Sequence, residues 1–180
     1  MPSSVTRNIL VVAGLCMVMP AASRAQQPRS LYDRYTEPIQ IYKVGLGTFS
    51  KPMSSGSKEA QAFFDQGFQM MYSFAKPEAV RSFREAWKRD PECAICYWGE
   101  GWAWGSYLNA PMTAEESPHA YAAAQKALSL KNRATPKERA LIDALAVRYV
   151  EKFDGAKRVE QDRAYADAMQ QVAAQYPDDL

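Results

Sequence analysis

The stretch FFDQGFQMMYSFAKPEAVRSFREAWKRDPECAICYWGEGWAWG, Phe63 to Gly105, decides the fold. Its apolar residues recur every three or four positions, the period that gathers them on one face of a helix. Phe63, Gly67 and Met70 mark a first helix, Ala79, Phe83 and Ala86 a second, and Pro91 closes the unit. Tyr97, Gly101 and Trp104 then repeat the first triplet after 34 residues. Self-similarity at such a period marks stacked helix pairs, none of which can bury its apolar face alone. The small residues within each triplet let the paired helices approach closely.

Working outward, the boundaries of six helices are signalled. Ser57 caps a helix running to about Phe74, and Pro77 suits the first turn of a second ending near Arg89. Asp90 and Pro91 form a cap and first-turn pair for a third. Ser117 and Pro118 open a fourth helix running to about Leu130. Thr135-Pro136-Lys137-Glu138 is a capping box opening a fifth through about Phe153, and a sixth runs from near Val159 to Gln175. A long loop, Gly105 to Glu116, delays the small packers Ala120, Ala124 and Ala127 of the second pair. The expected fold is all-α, with three antiparallel helix pairs over 58–180.

The segment 26–57 reads differently. Pro28, Pro38, Gly45, Gly47, Pro52 and Gly56 punctuate it, with a short strand-like piece, IQIYKV, between. An extended N-terminal arm is expected. Residues 1–25 carry Arg7, an apolar run from Ile9 to Met19, and small residues at Ser23 and Ala25, the layout of a secretory signal peptide with mature start at Gln26. Cys16 lies in that run, but Leu15 before it is a poor match to a lipid-attachment site. The expected location is therefore periplasmic or extracellular. The apolar run is too short to span a bilayer, and no later stretch resembles a span. The whole chain has 22 basic and 20 acidic residues. Arg7 and Arg24 leave with the leader, which balances the two and removes any charge excess to drive binding to nucleic acid or an anionic membrane.

The triplet spacing resembles that of tetratricopeptide repeats. Together with ERALIDALAVRY (138–149) and AYADAMQQVAAQYPDD (164–179), the quoted stretch is similar to a group of exported bacterial tetratricopeptide repeat proteins. The resemblance spans nearly the whole mature chain, starting around LGTFSKP (46–52). It implies a superhelical solenoid in which the first helix of each pair lines a concave surface. The third pair keeps the helices but follows the signature loosely. That group often has histidines in the arm and in the first inter-helix turn, where this chain has Phe49, Ser50 and Lys76, so a family-wide metal role does not carry over.

Cys93 and Cys96 form a C-x-x-C pair. Tyr97 occupies the position where c-type haem attachment needs histidine. A structural zinc site wants four ligands, and beyond the two cysteines the chain offers one histidine, His119, plus carboxylates. No cofactor is expected. A first-turn position for Cys93 would favour a thiolate, yet no strand-helix alternation surrounds it as in thioredoxin-like enzymes. The remaining reading is a local disulfide: residues three apart on a helix fall within bridging distance, and an exported protein meets an oxidising compartment. Thiol exchange stays as the alternative.

On the first helix of each pair, Phe64, Phe68, Met71 and Tyr72, then Trp98 and Trp102, face away from the core set. If exposed, they form an aromatic groove of the kind that anchors peptides. The same spacing also suits core residues, with the arm lying in the groove and covering it. His119 reads as a solvated first-turn residue, and Glu138, Arg139, Asp143 and Arg148 as helix-surface charges. No nucleophile elbow, phosphate-binding glycine loop or metalloprotease motif is present. The sequence therefore points to an exported scaffold without catalysis that binds a peptide or protein partner. A thiol-disulfide protein and a small-ligand binder are the alternatives. Because the sequence stops three residues past Pro177, where another helix would begin, a truncated chain is also expected.

Overall fold

The computed structural model describes residues 30–178, so the expected signal peptide, 1–25, lies outside the described residues. Among them the fold is all-α: seven helices and no strand. They are α1 (Leu31–Thr36), α2 (Lys58–Tyr72), α3 (Lys76–Arg89), α4 (Ala94–Trp104), α5 (Ser117–Ser129), α6 (Pro136–Ala146) and α7 (Arg158–Gln175), with short 3-10 turns at Lys131–Arg133 and Gly155–Lys157. Three successive pairs, α2/α3, α4/α5 and α6/α7, pack within themselves, while α2, α4 and α6 also touch one another in a row. α1 sits on α3.

Local chemistry explains the ends. Ser57 caps α2 by accepting from the Ala60 amide, and Thr135 caps α6 with Glu138 completing the reciprocal capping box. α2 closes through Phe74, whose φ of 63° lies in the left-handed region that favours glycine, while the Ala75 amide reaches back to the Met70 carbonyl at 2.9 Å.

Four expectations need correction. The segment before α2 is not wholly extended: Ser30 and Asp33 form a capping box that opens α1, and IQIYKV forms no strand. α4 begins at Ala94, with Cys93 as its cap, and not at Asp90-Pro91, because the Asp90 carboxylate is turned to the Glu92 amide and the Ser55 hydroxyl. At α5 the cap position is taken by Glu116, one residue earlier than expected. α6 ends at Ala146 rather than near Phe153, since Arg148 and Tyr149 leave the helix to bond the carbonyls of Ser106 and Gly101.

The core is aromatic and close-packed around Phe83 on α3, which is fully buried. Gly67 on α2 and Gly99 on α4 flank its ring. A Cβ at either position would lie within 2.9 Å of three ring atoms, so glycine alone permits this approach of α2 and α4 to α3. Gly101 sits less tightly against α5 and α6: a Cβ there would lie 3.1 Å from Leu145 and 3.3 Å from the Ala124 backbone.

Candidate functional site

Five of the six predicted groove residues, Phe64, Phe68, Tyr72, Trp98 and Trp102, come together on α2 and α4, but they are not left open. Phe64, Phe68, Met71 and Trp98 are buried, Trp102 is half-buried and only Tyr72, at 68 %, is well exposed. Of the two readings the spacing leaves open, an exposed groove or a covered core, these four residues take the covered one. The cause is visible in what lies over them. Trp98 Nε1 donates to the Leu141 carbonyl of α6 at 3.0 Å, and Lys51, from the segment before α2, places its ammonium 5.7 Å from the Phe68 ring centre. Phe49 of the same segment packs its ring 6.1 Å from Phe68 and 6.4 Å from Tyr72.

Within this layer the rings form a continuous network. Trp98 and Trp102 stack at 5.5 Å, as their spacing of four predicts, and Phe68 lies 5.1 Å from Trp102 and 6.0 Å from Trp98. Between them and α7 a cavity of about 160 Å³ remains, walled by Phe49, Phe68, Trp98, Trp102, Tyr165 and Met169. That volume is close to the roughly 150 Å³ of an apolar cavity able to hold one benzene-sized group.

The segment 49–55 that overlies α2 is held largely through its backbone. Gln61 accepts from the Met53 amide at 3.2 Å and donates to the Lys51 carbonyl at 2.9 Å. Asp65 accepts from the Lys51 amide at 2.9 Å and the Ser50 hydroxyl at 2.7 Å. Gln69 donates to the Phe49 carbonyl at 2.8 Å, and Glu138 of α6 accepts from the Ser54 amide at 2.8 Å. Glu138 is therefore a buried tie and not the surface charge expected of it. Arg148 is likewise buried, bonded to Asp162 and to the Ser106 carbonyl. Asp143, paired with Lys131 at 2.7 Å, is at the surface as expected. Arg139 reaches the Ala134 carbonyl at 2.8 Å.

Cys93 and Cys96 lie at disulfide distance, with sulfurs 2.04 Å and Cα atoms 5.4 Å apart. Both are buried, and the Met53 sulfur rests 3.8 and 3.7 Å from them. Cys93 Sγ also accepts from the Cys96 amide at 3.2 Å, doing for α4 what a serine hydroxyl does at other helix starts. A thiolate must reach a disulfide sulfur to exchange with it, and the burial of this pair leaves no ready approach.

On the other side of α4, Tyr32, Arg84, Tyr97, Glu100, His119 and Lys126 line a polar depression of about 250 Å³ that sequence reasoning missed. Its centre is the buried Glu100 carboxylate, which accepts from Arg84 (2.6 Å), Trp87 (2.6 Å) and Trp104 (3.2 Å). With its oxygens so occupied, Glu100 ties α3 to α4. His119 is not the solvated residue expected. Its ring lies between Tyr32 at 4.8 Å and Trp104 at 4.9 Å, and burial lowers its pKa below the ordinary histidine value against the opposing pull of Glu100.

No helix among the described residues is long and apolar enough to cross a membrane. Comparison of the chain with known protein families, with curated proteins and with solved structures finds no match.

Proposed function

We propose that this is an exported scaffold of the tetratricopeptide repeat type, similar to the group of bacterial repeat proteins its sequence resembles. In this reading three helix pairs stack as a solenoid behind an N-terminal arm. The concave side, formed by α2, α4 and α6, binds a peptide or protein partner in the cell envelope. The carrying observation is the aromatic cavity of about 160 Å³, in which rings from the arm and from α2, α4 and α7 converge. Tyr72 and Phe49 on its wall are exposed and Trp102 is half-buried, so the cavity has a mouth. Its size suits one apolar side chain presented by a partner. The burial of both sulfurs favours a stapling role for Cys93 and Cys96 over thiol exchange.

The rim residues give the cleaner test. Trp98 is buried and bonded, so truncating it would cost about 3–5 kcal/mol and confuse binding with folding. Tyr72→Ala with Trp102→Ala should abolish recovery of the partner from an envelope extract while helical circular dichroism is retained. Equal recovery by wild type and variant would remove the aromatic cavity from the binding surface. Binding of toluene by the wild type, read from tryptophan fluorescence and lost in the variant, would instead favour the small-ligand reading.

A further inference from the structure

The bonds between α2 and the segment before it follow a regular geometric rule. Gln61, Asp65 and Gln69 are each four residues apart, one helical turn, and rise about 6 Å per step. The backbone they hold advances in the opposite direction by two residues per step, from Met53 to Lys51 to Phe49, and an extended chain covers about 6.6 Å in two residues. The two repeats nearly match. A helix carrying short polar side chains at this spacing thus reads an antiparallel extended peptide once per turn, through N–H and C=O groups that every peptide has. Pro52 falls at a position where no amide is bonded, so its missing N–H costs nothing there.

Side chains add selection to this backbone reading. Phe49 packs on Phe68 and Tyr72 at the mouth of the aromatic cavity, and Met53 rests on the Cys93–Cys96 pair. The fit is incomplete: Gln69 uses its Nε2 on the Phe49 carbonyl, while its Oε1 is buried with no hydrogen-bond partner among the described residues. A different backbone at this position can donate an amide where the arm donates none.

We infer that α2 is a reading rail for extended peptides, and that residues 49–53 occupy it as an internal ligand. The partner it fits is an extended polypeptide segment with an aromatic residue, a hydroxyl-bearing residue, a basic residue, a position that tolerates proline and an apolar residue, in the order of Phe49-Ser50-Lys51-Pro52-Met53. This rests on the peptide-binding reading proposed above and adds the ligand's pattern and its competitor. A segment tethered this closely acts at an effective concentration on the order of 1 mM. A free peptide with intrinsic Kd below about 100 μM then binds the closed chain at least tenfold more weakly than an opened one.

The probe is a fluorescent peptide of residues 47–56, GTFSKPMSSG. The receptors are the wild-type chain and the variant Phe49→Asp with Met53→Asp, which alters only the occupant and leaves Gln61, Asp65, Gln69 and Glu138 in place. Saturable one-to-one binding to the variant, at least tenfold tighter than to wild type and lost for a peptide with the same two substitutions, is expected. Equal binding to both chains, or none to a folded variant, would overturn the inference. Should the variant not fold, hydrogen exchange on the wild type decides. The amides of Lys51, Met53 and Ser54 should exchange at least tenfold faster than those in the middle of α2, because the segment must open while the helix stays formed. Equal protection would sink the rail. A wild-type dimer that the peptide dissociates would assign the groove to a second copy's segment and overturn internal competition. Failure here with the Tyr72 and Trp102 result intact would leave the aromatic cavity as the partner site.

Discussion

Gly99→Ala should destabilise this protein, although alanine is the better helix former. Replacing a helical glycine by alanine ordinarily gains about 1 kcal/mol. At Gly99 the added Cβ would fall 2.4 Å from Phe83 Cδ1 and 2.6 Å from Cε1, whereas carbons in contact sit about 3.5–4.0 Å apart. The ring cannot retreat toward α2, because a retreat drives it into Gly67, where even a Cβ would lie only 2.7 Å from it. Nor is there slack elsewhere: Phe83 is fully buried, and its ring packs 5.5 Å from Phe64, 6.0 Å from Phe68 and 6.4 Å from Trp102. Overpacking of such a site costs about 1–3 kcal/mol, and contacts this short place it at the upper end. The net expectation is a loss of about 1–2 kcal/mol, a fall in Tm of about 2–8 °C for a chain of this size. Urea and thermal unfolding followed at 222 nm would measure it, with Gly47→Ala, whose Cβ would meet nothing within 4 Å, as the neutral control. In a Phe83→Leu background the same alanine should cost less or become stabilising. A Gly99→Ala chain as stable as wild type with Phe83 present would refute the clasp.

Two further outcomes are expected. Lys76 and Glu116 form a buried pair at 2.6 Å, so Lys76→Met leaves a buried carboxylate held, among the described residues, by the Thr113 amide and should cost about 3 kcal/mol in urea unfolding. Adding Glu116→Gln should restore part of it, and a loss under 1 kcal/mol for Lys76→Met would show the pair to be idle. Burial lowers the pKa of His119, so between its folded and unfolded values the unfolded chain binds more protons. Its contribution is complete above about pH 6.5 and is lost as the pH falls below that. His119→Gln should flatten the stability profile between pH 7.5 and 5.5, and an unchanged slope would count against this placement of the ring.

Helix starts were legible where a side chain serves its own helix. Thr135 and Glu138 close on each other, and the four letters that encode the box predict it. Asp90 failed for the opposite reason: its carboxylate is drawn to Ser55, 35 residues earlier, and no local pattern reports such a bond. Cys93 then takes over the cap with a sulfur, a role the C-x-x-C spacing does not announce. The Ser30–Asp33 box before α1 has the letters of a cap, but the prolines and glycines around it dominate the composition and signal an arm. The spacing of the aromatic residues brings Phe64 next to Phe68 and Trp98 next to Trp102, yet their burial against Phe83 and beneath the preceding segment was not readable. What covers them is held by Gln61, Asp65 and Gln69, which in sequence look like any solvated helix face. Most of their partners in the covering segment are backbone atoms, and the backbone has no letters.

The bond from the Ser54 amide to Glu138 has a consequence for how the molecule comes apart. Chains of stacked helix pairs touch only their neighbours, so each pair can unravel in turn and intermediates accumulate. Here residues 84 positions apart are joined, and the join links the segment before the first pair to the first helix of the third. Closing so long a loop slows folding. In return, detaching the third pair would break this tie and loosen the cover of the first, so the bond couples the two ends of the helix row.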